Sequence, residues 1–112
     1  MKRDKLLTYN RFERWLLEHP ARSVVGKSDN MCDCPIARYL RDAHGWPHVF
    51  VSWTEVSHFS PTKGDVIYKT PQWATEFIWR IDKKRPKTDS GWQVPITRTV
   101  ALKTLRQVKE DE

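Results

Sequence analysis

The chain has 112 residues, a formal net charge of +6 and 30% charged side chains. That length suits one domain with a modest core, and six Trp, four Phe and three Tyr can supply the core in large units. The charge density, and the lack of any apolar run near the ~18–20 residues a bilayer requires, exclude a membrane-spanning helix.

Tyr9 to Glu18 is the first expected helix, with Thr8 as N-cap and Pro20 as the stop. Tyr9, Phe12, Trp15, Leu16 and His19 share one face of it, so this helix packs on something. Ser23-Val24-Val25-Gly26 reads as a short extended piece ending in a turn, and Lys27 to Asn30 as a loop. The second helix is capped by Asp33 or Cys34, carries Pro35 at its first position and ends at Gly45. Ile36, Tyr39, Leu40 and Ala43 form its apolar stripe, with Arg38 and Arg41 on the far side. His48 to Trp53 reads as a strand with Val49, Val51 and Trp53 on one face, pairing with Asp65 to Lys69 through the turn at Ser60–Gly64. Thr70 as cap and Pro71 at the first position open a third helix that runs to Lys83. Trp73, Ala74, Phe77, Ile78 and Ile81 fall within an arc of ~140° on it. A loop with Pro86, Gly91 and Pro95 follows, and Arg98 to Lys109 forms a last helix burying Ala101, Leu102, Leu105 and Val108. These elements predict an α+β fold: a single domain over 1–112, with about four helices packed around a short antiparallel β-hairpin and frayed ends at 1–7 and 110–112.

Positive charge gathers toward the ends. Residues 1–22 carry six basic and three acidic side chains, residues 80–90 five and two, and residues 23–79 five and six. Such a balance favours anionic partners. Trp79 is the informative residue, because it points roughly 170° away from the centre of its helix's apolar arc. A Trp on a polar face either packs in a second direction, over the hairpin or last loop, or meets a partner. Arg80 and Lys83 flank it, and Lys84, Arg85 and Lys87 follow. Aromatic and basic side chains together suit stacking on unpaired bases and contact with a phosphate backbone.

Cys32 and Cys34, one residue apart, are badly spaced for a disulfide and suit a reducing compartment. The segment Met1 to Leu7 is basic but is not followed by the apolar core and cleavage site of a signal peptide, so the expected location is cytoplasmic. A cysteine at a helix start can be a reactive thiol. The pair could also give two zinc ligands, with His44, His48 or His58 completing the set. The plainer reading has Cys34 as a small buried residue and Cys32 in the loop. His19 reads as a packed helix-end residue, His44 as a complement to the helix dipole, and His48 and His58 as surface strand residues. No metalloprotease helix, nucleophile elbow or glycine-rich phosphate cradle is present, so no catalytic residue, metal or cofactor is expected.

Several segments together resemble a group of small phage and bacterial proteins with a "CPLARYL"-like signature. They are Phe12-x-x-Trp15-Leu16, Val24-Val25-Gly26, Cys34-Pro35-Ile36-Ala37-Arg38-Tyr39-Leu40, Pro71-x-Trp73-Ala74-x-x-Phe77-Ile78, and Pro95-Ile96-Thr97 before Ala101-Leu102-x-x-Leu105. The likeness spans most of the chain, although the basic run at 83–87 lies outside it. It implies a phage or mobile-element setting, in which small proteins bind and block host machinery, and it carries over no catalytic residue. The expected function is therefore a basic, non-enzymatic binding protein acting on nucleic acid or a nucleoprotein complex. Arg80, Lys83, Lys84, Arg85 and Lys87 would meet phosphates, Trp79 would stack, and Arg38 and Arg41 would extend the patch. The alternative is an anti-CRISPR-like inhibitor that contacts a host protein. A thiol or metal site at Cys32/Cys34 is the third reading.

Overall fold

The structure, a computed structural model, describes residues 7–28, 30–60, 62–83 and 94–110. Its elements run α1 (Tyr9–Leu17), β1 (Val24–Lys27), α2 (Pro35–His44), β2 (Val49–Val51), β3 (Glu55–Ser60), β4 (Gly64–Lys69), α3 (Gln72–Asp82), β5 (Pro95–Thr97) and α4 (Arg98–Glu110). The α+β class holds, with four helices among the described residues. The β structure is larger than a hairpin: β1 and β5 form one antiparallel pair, and β2, β3 and β4 form a three-stranded antiparallel meander.

The meander corrects the expected pairing of β2 with β4. Glu55–Ser60 lies between them, pairing Val51 with Val56 on one side and Val56 with Tyr68 on the other. Val49, Val51, Val56 and Tyr68 face inward. His58 joins them, so it is buried rather than a surface strand residue. Trp53 lies beyond the end of β2, in a turn that Ser52 holds by accepting from the amides of Thr54 (3.3 Å) and Glu55 (3.0 Å). It is exposed, and does not continue the buried row of Val49 and Val51.

The core is aromatic at its centre. Phe12 is fully buried on α1, with ring centroids 5.3 Å from Phe77, 5.6 Å from Tyr39, 5.8 Å from Trp73 and 6.0 Å from Trp15. Ile36, Ala37 and Leu40 of α2, and Ala101, Leu105 and Val108 of α4, close around these rings. Ala43, expected in the α2 stripe, is exposed, and Ala37 is buried in its stead. Leu7 is buried ahead of α1, and Glu110 is the last residue of α4.

The α2 start explains the central motif. Cys34 is the N-cap and its Sγ accepts from the Ala37 amide at 3.4 Å, while Pro35 occupies the first turn. Gly45 ends the helix with φ +70°. Gly26 of β1 runs directly against this start: a Cβ there would lie 2.4 Å from Pro35 N and 2.7 Å from the Cys34 carbonyl carbon. Val-Val-Gly and Cys-Pro are thus two halves of one contact. In α3 the expected cap does not form, because Thr70 donates its hydroxyl to Ser52 O at 2.9 Å and Pro71 occupies the N-cap position.

Candidate nucleic-acid interface

Residues three and four apart on α3 are neighbours on the helix surface. Gln72, Thr75, Trp79 and Lys83 consequently make one stripe, opposite the buried side formed by Ala74, Phe77, Ile78 and Ile81. Trp79 is 40% exposed on that stripe, as its position on the helix predicted. The Lys83 ammonium stands 3.8 Å from the centre of its ring. A cation over an aromatic face is held there electrostatically, and a part-exposed ring beside an ammonium pairs a surface on which bases can stack with a charge that suits a phosphate.

Arg80 sits one step round the helix and pairs with Glu76 at 3.0 Å. Its charge is therefore largely balanced within its own helix. Lys84, Arg85 and Lys87 lie outside the described residues.

The turn after β2 contributes a second ring that the sequence pattern missed. Trp53 is 49% exposed, and its carbonyl accepts from Thr75 Oγ1 at 2.6 Å, tying the turn to the α3 stripe. Trp53 stands between two grooves. One, of about 530 Å³, is lined by Lys69, Pro71, Gln72 and Thr75 and carries no carboxylate among its described residues. The other, of about 250 Å³, is lined by Met31, Cys34, Ile78 and Asp82. Asp82 repels phosphate from the second groove, so an anionic chain is favoured over the first and along the stripe toward Lys83. From Gln72 to Lys83 that track is about 16 Å long. The signal for Trp53 was in the sequence: Ser52 and Thr54 flank it, and such residues favour local turns over strands.

Arg38 and Arg41 have another role. Arg38 grips Asp33 with two bonds, Nε to Oδ1 at 2.8 Å and Nη2 to Oδ2 at 3.0 Å, and Arg41 Nη2 adds a third at 3.1 Å. Arg41 also donates to Cys32 O, and Arg38 to Val24 O at 3.3 Å. The Arg38 hydrogen bond leads in holding the Asp33 carboxyl below its ordinary range, against the partial burial that opposes it. These arginines clamp the loop before α2 to the helix and to β1. Two guanidiniums on one carboxylate leave one net positive charge, which adds to the long-range field, but the groups themselves are committed to the fold.

Cys34 is buried, and that burial pushes its thiol up to about 12, far from a thiolate at neutral pH. Cys32 is exposed in the loop. Among the described residues no three His, Cys, Asp or Glu side chains come together as a metal site, and no helix is long and apolar enough to cross a membrane. A larger cleft of about 770 Å³ opens between α1 and α2, lined by Arg11, Arg14, Glu18, His19, Asp42 and His44. Its two arginines face two carboxylates, and its floor is tied up internally: Trp15 Nε1 donates to Asp42 at 3.1 Å, and His19 Nδ1 donates to Trp15 O at 2.7 Å.

His58 lies under a stack of rings. His44, Trp46 and His58 follow one another at 4.5 and 3.5 Å, with the last two rings stacked nearly parallel, at 4°. Among the described residues, His58 Nδ1 and the Tyr68 hydroxyl are buried without a hydrogen-bond partner. Burial, reinforced by nearby His44, lowers the His58 pKa from its ordinary 6.5, and burial pushes the Tyr68 hydroxyl up to about 12. Because the unfolded chain takes up this proton first, the stability tied to neutral His58 is complete above pH 6.5. It falls as the pH drops through the lowered folded value. Urea titrations at mildly acidic and at neutral pH should show this loss, and His58→Phe should flatten it. An unchanged slope in the variant would assign the acid sensitivity to other groups.

No family model, curated protein or solved structure matches this chain, so the reading of this surface rests on its own geometry.

Proposed function

We propose that this protein is a non-enzymatic binder of single-stranded nucleic acid, laid along the exposed stripe of α3 between Trp53 and Lys83. The carrying observation is the exposed Trp79 ring with the Lys83 ammonium over it. Unpaired bases stack on such rings whatever their sequence, and flanking cations track the phosphates. Trp53 supplies a second ring and Lys69 a second cation, and the sequence continues from Lys83 into Lys84, Arg85 and Lys87. A duplex hides its base faces, so the stripe favours the unpaired strand. A nucleoprotein partner would be engaged through its exposed strand.

Fluorescence anisotropy with labelled single- and double-stranded oligonucleotides, from about 50 to about 300 mM salt, tests this. Log affinity should fall linearly with log salt. Trp79→Ala should weaken binding of the single strand by about 1–3 kcal/mol, roughly 5- to 150-fold. Lys83→Ala should weaken all sequences evenly and lower the salt slope by about 0.7. Absence of binding at low salt would sink the proposal. It would favour the protein-inhibitor reading, whose anchor would be the same Trp79 and whose affinity would persist in high salt.

A further inference from the structure

Strand alternation places every second residue of the meander on its outer face. Phe50, Ser57 and Ile67 align in one row across the three strands, and Phe59 stands two residues along from Ser57. Phe50, Phe59 and Ile67 are 49%, 46% and 52% exposed, a cluster of large apolar side chains set apart from the α3 stripe. Along β4 this face reads Asp65, Ile67, Lys69: an anion, an apolar centre and a cation at alternate positions. We propose that the outer face of the meander is a self-association surface, and that its occupant is the same face of a second copy of this chain.

The charge order carries the argument. A two-fold contact requires a surface that complements itself. With the two-fold axis in the interface and perpendicular to the strands, β4 lies over its copy in the opposite direction. Ile67 then meets Ile67 of the second copy, Asp65 meets Lys69, and Lys69 meets Asp65. The Phe50 row meets itself, while Glu55 of the second copy lies over Phe59 and keeps Lys69 of its own chain as its cross-strand neighbour. Sheets pack face to face in this nearly aligned way at a spacing of about 10 Å. A nucleic acid is the less suitable occupant, because Glu55 and Asp65 project from the same face and repel phosphate.

Sedimentation velocity of the full chain, from micromolar to near-millimolar concentration, should show a monomer passing to a dimer. Ile67→Glu sets two like charges on the axis and should raise the dissociation constant at least about a hundredfold. Exposed on its strand, the residue can change with the circular-dichroism spectrum retained. Asp65→Lys alone and Lys69→Asp alone should each weaken the dimer, and the two together should restore it. That rescue distinguishes a self-complementary face from a merely sticky one. A monomer at every concentration overturns the proposal, as does a dimer indifferent to Ile67→Glu or a double exchange that fails to rescue. A monomer that loses oligonucleotide affinity on Phe59→Ala would overturn it in favour of a base-stacking platform. Lys69 borders both surfaces, but this experiment reads it only through dimer formation; Trp79 and Lys83, which carry the α3 reading, take no part, so failure here leaves that reading untouched.

Discussion

Gly26→Ala should cost about 3 kcal/mol of stability, at the upper end of what overpacking a filled site usually costs. The added Cβ would lie 2.4 Å from Pro35 N and 2.7 Å from both Pro35 Cδ and the Cys34 carbonyl carbon. None of these is the loose end of a flexible side chain. The backbone they belong to is fixed on the helix side by the Cys34 cap and on the loop side by the grip of Arg38 and Arg41 on Asp33. Relief therefore requires β1 to withdraw from α2, which strains the β1–β5 pair as well. Gly45→Ala is the instructive control. There a Cβ meets nothing within 4 Å, and only the φ of +70° opposes it, a strain of about 1–2 kcal/mol. Urea denaturation of the two variants should rank them in that order, and a Gly26→Ala protein as stable as the parent would remove the close approach of β1 to α2.

Phe12→Ala should be the most damaging of the simple core truncations, at about 3–5 kcal/mol. Its ring is fully buried and stands within 6.0 Å of four other aromatic rings, from α1, α2 and α3. Removing it leaves a void that none of the four can fill without leaving its own packing. Domains of this kind are stable by only about 5–15 kcal/mol, so the variant should sit at the edge of folding. Phe12→Leu, which keeps most of the volume, should lose clearly less. Trp15 and Trp73 flank the void, so intrinsic fluorescence is a suitable probe of both urea transitions.

The helices were legible because their signals are local. Thr8, Cys34-Pro35 and Gly45 mark ends, and the 3.6-residue spacing of Phe12, Trp15 and Leu16, or of Leu102, Leu105 and Val108, marks faces. The same wheel that set Ala74, Phe77 and Ile81 inward set Trp79 outward. Strand β3 was not legible, because its inward row is only Val56 and His58, and a histidine there reads as surface. Strand β5 is three residues long and exists only because β1, some seventy residues earlier, lies beside it. Trp53 was misplaced by carrying a two-residue alternation past the point where Ser52 turns the chain. Of the proposed surface, the outward position of Trp79 and its neighbour Lys83 were legible in the sequence, whereas the pairing of Arg80 with Glu76 appeared only in the structure. The redirection of Arg38 and Arg41 onto Asp33 was not legible, because Asp33 lies outside the helix and five and eight residues away, beyond the spacings that sequence rules treat as pairs.

The last described segment is sewn to the first. Tyr9 donates to Leu105 O at 3.3 Å, Arg98 N to Ser23 O at 2.9 Å, and Ser28 and Val94 exchange bonds of 2.9 and 3.0 Å. During synthesis a chain emerging from the ribosome can close α2 and the meander early, since their contacts are short in sequence. Yet β1 must wait for β5, and the side of α1 that meets α4 stays uncovered until that helix arrives, even with Phe12 already packed on α2 and α3. An intermediate that lacks α4 therefore keeps Phe12 against Tyr39 and Phe77 but leaves the side of α1 that turns Tyr9 toward Leu105 open to chaperones and proteases.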